Sequence, residues 1–263
     1  MAKRTYSVRY IAGEPAKRIQ PTPVHMLGDS LPIGMPLFAA GETLDIVTWN
    51  IYKQQRPNWK MVLSELVDGR KLILLQEAQM SPELVSFAAS HQLIADQVPA
   101  LPFSAHPAGV MTLATSHPIY CCPLREKEPL LRLAKSALIT VYPLPNGKQL
   151  MVANVHAINF SFGVDVYTKQ LNKLGMHIGK HVGPVILAGD FNAWSRQRVN
   201  ALKRFIRSVG LKEALYDLDL RTKAFGRPLD FIFYRGLKLN KSKVLQTDAS
   251  DHNPIMTQFK LIK

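Results

Sequence analysis

Four acidic residues stand where a carboxylate is costly. Glu77 follows the apolar run Leu72-Ile73-Leu74-Leu75, and Asp190 follows Val185-Ile186-Leu187-Ala188. Asp230 opens the run that reaches Tyr234, and Asp251, in Ser250-Asp251-His252-Asn253, precedes another. An ionised carboxylate in or beside a buried strand needs a partner or a cation, because desolvating it alone is expensive. Asn50, Gln76, Asn154, His156, Asn159 and Asn192 end or follow similar runs. If the acids converge they repel one another, and a hard divalent cation, Mg²⁺ or Mn²⁺, takes oxygen ligands and resolves that repulsion.

The rest of the composition sets these acids apart. Lys and Arg number 33 against 19 Asp and Glu, a formal charge of +14 over 263 residues. A field of that sign draws in polyanions such as nucleic acid, phosphorylated metabolites or anionic headgroups, without choosing among them. With 47% hydrophobic and 20% charged residues, the chain excludes wholesale disorder and has enough apolar surface for a large core. Its two cysteines, Cys121 and Cys122, are adjacent, which suits neither a disulfide framework nor a zinc site. No apolar run approaches the ~20 residues that span a bilayer, so no stable membrane insertion is expected. A cytoplasmic protein follows as the expectation, with a monomer favoured.

The elements that must position the acids begin at about residue 44. Residues 1–43 carry Pro15, Pro21, Pro23, Pro32 and Pro36 with Gly13, Gly28, Gly34 and Gly41, and are expected to form an irregular basic arm. From 44 to 263, short apolar runs alternate with amphipathic segments. Strands are expected over 44–51, 71–78, 109–116, 136–144, 149–157, 184–192, 229–236 and 253–259. Helices are expected over 57–68, 82–92, 164–181 and 196–209, the second and fourth opening after cap residues Ser81 and Ser195. The fourth carries Arg198, Lys203, Arg204 and Arg207 away from its apolar stripe. This alternation predicts a single α/β domain of packed sheets with outer helices.

The motifs WNIYKQQ (49–55), LLQEAQ (74–79), NVHAIN (154–159), AGDFNAW (188–194), PLDFIFYR (228–235) and SDHNP (250–254) occur in that order. In order and spacing they resemble the endonuclease/exonuclease/phosphatase superfamily. WNIYKQQ, CCPLRE and FGRPLDF are similar to its YafD-like bacterial branch. The resemblance implies a four-layer α/β/β/α sandwich of two packed mixed β-sheets flanked by helices. It also implies a divalent-metal-dependent hydrolase that cleaves phosphoesters by in-line attack of water.

Residue by residue, the resemblance implies that Glu77, Asn50 and Asp251 serve the metal. Asp190 would orient or deprotonate water, Asn192 would hold a phosphate oxygen, and His252 would pair with Asp230. His156 and Asn159 would lie at the phosphate; related abasic-site endonucleases have Tyr at the first of these positions, and an aspartate where this chain has Tyr52. The chemistry needs these residue types because a phosphodiester is already anionic and repels a hydroxide until its charge is neutralised.

Singly, each residue has an ordinary reading: Asn50 a turn, Glu77 an ion pair, His156 a structural histidine, Asp190-Phe191-Asn192 an Asx turn, Asp251 a cap. All would have to hold at once. Arg125, Arg132 and Lys135 are candidate groove cations, read first as solvated; Trp59 and Trp194 are candidate platforms for a base, with Trp59 read first as core. Three substrate readings stand. The charge and the basic helix face favour a nuclease or nucleotide phosphodiesterase acting on nucleic acid. A phosphatase or phospholipase is the alternative and would place an apolar loop, such as Phe160–Gly163, beside the site. An inactive nucleic-acid-binding domain is disfavoured by the complete set of acids and His252.

Overall fold

The apolar runs become strands buried on both faces, which is why they lack a polar alternation. In the computed structural model, residues 5–21, 35–100, 106–128, 134–161 and 163–262 are described. The strands are β1 (Ser7–Tyr10), β2 (Lys17–Ile19), β3 (Leu44–Asn50), β4 (Leu72–Gln79), β5 (Ile94–Pro99), β6 (Ala108–Ala114), β7 (Tyr120–Lys127) and β8 (Ala134–Pro143). They continue with β9 (Gln149–His156), β10 (Val185–Asp190), β11 (Lys212–Glu213), β12 (Lys223–Ala224), β13 (Arg227–Pro228), β14 (Asp230–Arg235), β15 (Leu237–Val244) and β16 (Ile255–Leu261). The helices are α1 (Trp59–Val67), α2 (Pro82–Ser90), α3 (Asp165–Ile178) and α4 (Arg196–Ser208).

One sheet runs β15-β16-β3-β4-β6-β5-β1-β2 and the other β11-β14-β10-β9-β8-β7. Both mix parallel and antiparallel pairs. Ile46, Leu72, Leu74, Val152, Ile186, Ala188 and Ile232 fill the space between them. The alternate residues Val47, Trp49, Ile73 and Leu75 pack under α1 and α2, and Val155, Val185 and Leu187 pack under α3 and α4. The layering is therefore α/β/β/α, as expected. Ser81 Oγ accepts from Leu84 N and Ser195 Oγ from Arg198 N, so both helix caps form.

The N-terminal arm departs from its expectation. Within its described part, β1 pairs with β2 and with β5, adding two strands to the first sheet. A buried ion pair fixes this extension: Arg9 meets the Asp96 carboxylate through two nitrogens, at 2.8 and 3.1 Å. Leu37 and Phe38 are also buried, in the core between the sheets. Pro23, Pro32, Gly28 and Gly34 lie outside the described residues.

Gly189 sits one residue before Asp190, at φ +135°, where a Cβ would meet Val155 O at 2.0 Å. Neither the angle nor the space admits a side chain. Gly189→Ala is expected to destabilise the fold by ~2 kcal/mol or more in denaturant unfolding. An unchanged midpoint would mean that β9 and β10 are not in the contact described.

Candidate active site

Strand register assembles the site. Along β10, Asp190 stands opposite Asp230 of β14 and opposite His156 of β9. Cross-strand partners share a face of the sheet. Here it is the face whose earlier residues, Val152, Ile186, Ala188 and Ile232, fill the space between the sheets. The three polar side chains therefore open at the mouth of that space. Across the gap, Asn50 of β3 is in register with Gln76 of β4.

Just below the mouth a polar seam joins the sheets. Gln76 Nε2 donates to Asn154 Oδ1 at 2.8 Å, and Asn154 Nδ2 donates to the carbonyls of Leu75 and Met111. Buried amides of this kind are tolerable only when hydrogen-bonded.

Glu77 reaches the mouth by a different device. Between Leu75↔Met111 and Ala78↔Gly109 the register with β6 slips by one residue, a β-bulge, and Glu77 takes φ +51°. Ordinary alternation would send Glu77 toward the helices with Leu75. The bulge re-aims it, and Oε1 lies 3.8 Å from His156 Nε2.

His252 and Asp230 make the strongest contact, Nδ1 to Oδ2 at 2.7 Å, with both groups buried. Burial alone would lower the imidazole pKa, but the Asp230 carboxylate overcomes it and, helped by Asp190 and Asp251, raises the value to about 10. His252 is thus an imidazolium at neutral pH. Its backbone is fixed as well: the carbonyl accepts from Trp49 Nε1 at 2.9 Å, and the amide donates to Ser250 Oγ at 3.1 Å.

Asp190 is nearly inaccessible, and burial pushes its pKa up to about 6 against the opposing pull of His252. It accepts from Asn50 Nδ2 at 3.1 Å across the sheets and from the Asn192 amide at 2.9 Å. His156 Nε2 lies 3.4 Å from the same carboxylate and 2.8 Å from Lys135 Nζ. An ammonium only donates, so Nε2 is the acceptor and His156 is neutral. Burial, then Lys135, holds its pKa well below the usual histidine range.

Asn192 sits at φ +47°, with Nδ2 bonded to Ala157 O at 3.0 Å. Asn159 Oδ1 accepts from Trp194 Nε1 at 3.0 Å; since indole only donates, this fixes the amide's orientation, and its NH₂ makes no hydrogen bond among the described residues. Asp251 lies at the exposed rim. Ser250 Oγ bridges it to the centre, 2.7 Å from Asn50 O and 3.3 Å from Asp251 Oδ1.

Three basic residues differ from their sequence readings. Arg125 is one: two of its guanidinium nitrogens are buried and the group lies 5.4 Å from the centre of the Tyr6 ring. Arg198 does not belong to a solvated helix face: it is buried, stacked near Tyr167 and Trp194, and donates to the carbonyls of Ile158, Asn159 and Asn192. It ties together the loops that carry Asn159 and Asn192. Lys135 is not a solvated cation, since its side chain is only 15% exposed and touches His156. Sequence reasoning missed Lys135 and Arg198 because His156, for the first, and Ile158 and Asn159, for the second, lie 21 to 40 residues away. Trp59 is core, against Phe87. Arg132 and Phe162 lie outside the described residues, while Phe160 is 49% exposed.

A family model described as the Endonuclease/Exonuclease/phosphatase family matches residues 47–252, from β3 through His252. The chain belongs to this family. It is 63% identical over 259 residues to a UPF0294 protein of Photorhabdus laumondii, covering 98% of this chain and 100% of the relative. An endonuclease/exonuclease/phosphatase of Bacteroides vulgatus superposes with TM-score 0.67 at 16% identity, covering 84% of this chain and 100% of that one. ANGEL2, a 2',3'-cyclic phosphatase, superposes with TM-score 0.65 at 14% identity, covering 88% and 99%.

Family membership makes a divalent metal the natural question for the mouth. The Glu77 carboxylate makes no hydrogen bond among the described residues; the ammonium groups of Lys53 and Lys135 and the neutral His156 ring stand at 3.8–3.9 Å. The Glu77 and Asp251 carboxylates and the Asn50 carboxamide oxygen, which accepts from Tyr52 N at 3.2 Å, are donors of the kind a hard cation takes. No hydrogen bond joins the three among the described residues. The tightest cluster of ligand-type atoms among the described residues is instead Asp190, Asp230 and His252, all within 4.8 Å.

The His252–Asp230 pair has a pH signature. An imidazole whose folded pKa is raised contributes stability fully present below its unfolded value, ~6.5, and lost as pH climbs toward 10. In chelator, Asp230→Asn is expected to cost about 3 kcal/mol at pH 6. The gap between variant and wild type should narrow toward pH 10, as read by urea unfolding at several pH values. A gap independent of pH would mean that His252 is not charged in the fold.

Proposed function

We propose that this protein is a divalent-metal-dependent phosphoesterase that hydrolyses phosphodiester bonds of nucleic acid or nucleotides by attack of water. The observation that carries this reading is the buried trio at the mouth: Asp190 between neutral His156 and the His252 imidazolium that Asp230 holds in place. Two histidines in opposite charge states on either side of one carboxylate suit acid–base and electrostatic work at a phosphate.

Each residue has a part that follows from its environment. Asp190, with its pKa lifted to about 6, is ionised at neutral pH yet basic enough to take a proton from water. Asn192 and Asn50 hold that carboxylate in place. His252, charged and desolvated, lies ready to stabilise the negative charge that grows on the phosphoryl oxygens. The NH₂ of Asn159 is a donor for a phosphate oxygen. Glu77, Asn50 and Asp251 would hold Mg²⁺ or Mn²⁺, which supplies neutralisation of the phosphate and polarisation of its oxygen.

The +14 charge supports a polyanionic substrate over a neutral one. Trp194, with the exposed Phe225 ring centred 6.0 Å away, offers an aromatic edge on which a base can stack, favouring a nucleotide over a lipid. No helix among the described residues is long and apolar enough to cross a membrane.

The test is direct. Metal-stripped protein, reloaded with Mg²⁺ or Mn²⁺, is offered a chromogenic phosphodiester, single-stranded DNA, RNA and phosphoinositide vesicles. Hydrolysis of the diester and of a polynucleotide is expected, with kcat lowered about 10²- to 10⁴-fold in Asp190→Ala and in His252→Ala. No hydrolysis by the wild type, or equal rates in the variants, would end the reading. KM for the polynucleotide should rise steeply with added salt, because backbone contacts displace counterions. A salt-independent KM would point to a small substrate.

A further inference from the structure

Beside the trio lies a cleft of about 290 Å³ whose polar lining includes Lys53, Glu77, Gln79, His106, Lys135 and His156. Two ammonium groups flank the two oxygens of one carboxylate there: Lys53 Nζ is 3.9 Å from Glu77 Oε2 and Lys135 Nζ is 3.9 Å from Oε1. At that range they are attracted to Glu77 but do not hydrogen-bond to it. Lys53 makes no hydrogen bond among the described residues, and Lys135 only that to His156. Most of their six N–H donors are unspent.

The placement of Lys53 is not that of a stray surface lysine. Tyr52, Lys53 and Gln54 take φ of 51°, 51° and 54°, three consecutive residues in the left-handed region that non-glycine residues rarely occupy. Gln54 holds this turn down by a reciprocal pair of bonds to the backbone of Gln79, at 2.7 and 2.8 Å. A strained turn that is tied in place and projects a cation over a cleft is a binding feature. The cleft therefore carries two fixed positive charges against one negative, and its excess grows when Glu77 is engaged by a cation.

We propose that this cleft binds a second phosphate of the substrate, next to the one under attack, with Lys53 and Lys135 as its donors. The inference rests on the phosphoesterase reading and narrows it to substrates with two phosphates within reach of each other. These are consecutive nucleotides of a chain or a small bisphosphorylated molecule.

Calorimetric titration of the metal-free protein with inorganic phosphate and with pyrophosphate tests the cleft without any turnover. Pyrophosphate is expected to bind at least tenfold tighter than phosphate. Lys53→Gln and Lys135→Gln should each erase most of that ratio, and Lys53→Arg should retain it. Lys53 is half-exposed, so its substitution leaves the fold intact, as circular dichroism would verify. Equal affinities for the two anions, or a ratio that survives both substitutions, overturns the proposal even in an active enzyme. A lysine-dependent ratio in a protein that hydrolyses nothing upholds the cleft and rejects the phosphoesterase reading instead. Displacement of pyrophosphate by a 5'-phosphorylated dinucleotide assigns the second phosphate to a chain; displacement only by a small bisphosphate assigns it to a metabolite.

Discussion

Asp190 is a carboxylate held out of water at the seam of two sheets, and the site is built around keeping it ionised there. Its oxygens take donors from both sides: Asn50 belongs to the first sheet, Asn192 to the loop after β10 of the second. The nearby His252 charge opposes the cost of burial, and Asp230 does most to hold that charge, with Asp190 and Asp251 adding to it. The chain is thus one of mutual dependence. Without Asp230 the imidazolium loses its main partner, and without the imidazolium the Asp190 carboxylate loses the largest charge that favours its ionised form. Such a network has either all its members or little value, since a half-satisfied buried cluster is worse than an apolar one.

Backbone geometry does the positioning. Register lines up His156, Asp190 and Asp230 across three neighbouring strands without any loop, so their spacing is that of a sheet and is stiff. The residues that must reach in from elsewhere use local irregularity: a bulge turns Glu77, and Lys53 and Asn192 take positive φ. Conformations of this kind cost energy in the isolated chain and persist only where the surroundings impose them. Most of them gather round one mouth, at the ends of β3, β4 and β10; Gln92, just after α2, and Phe225, between β12 and β13, lie elsewhere.

How much of this was legible in the sequence follows from range. The central strands announced themselves as apolar runs, and Ser81 and Ser195 as caps, because those signals are local. β15, with Lys238, Asn240 and Lys241 along an edge, reads as polar chain and was passed over. β5 was missed because the buried Asp96 within it looks like a break until Arg9, 87 residues earlier, supplies its partner. β1 and β2 hid inside a segment punctuated by Pro and Gly, and only pairing with β5 makes them strands. In the site, the motif order named Asp190, Asp230, His156 and His252, and the resemblance named the His252–Asp230 pair, but not the contacts of Asp190 with Asn50 and His156. A lone Lys135 or Arg198 carries no sign of burial, since its burial is decided by partners that only the fold brings near.

Charge accounting connects the trio to the cleft. At neutral pH, Glu77, Asp190, Asp230 and Asp251 contribute four negative charges, and Lys53, Lys135 and the His252 imidazolium three positive ones. The site is therefore within one charge of balance before anything binds, which lets a chain of net +14 keep acids in a buried mouth. A divalent cation would turn it net positive, and an anionic substrate would offset that, so cation and phosphate favour each other's binding by simple electrostatics. The same balance gives a reason for placing lysines, and not further acids, beside Glu77: another carboxylate would hold the cation more tightly but would leave no demand for the substrate.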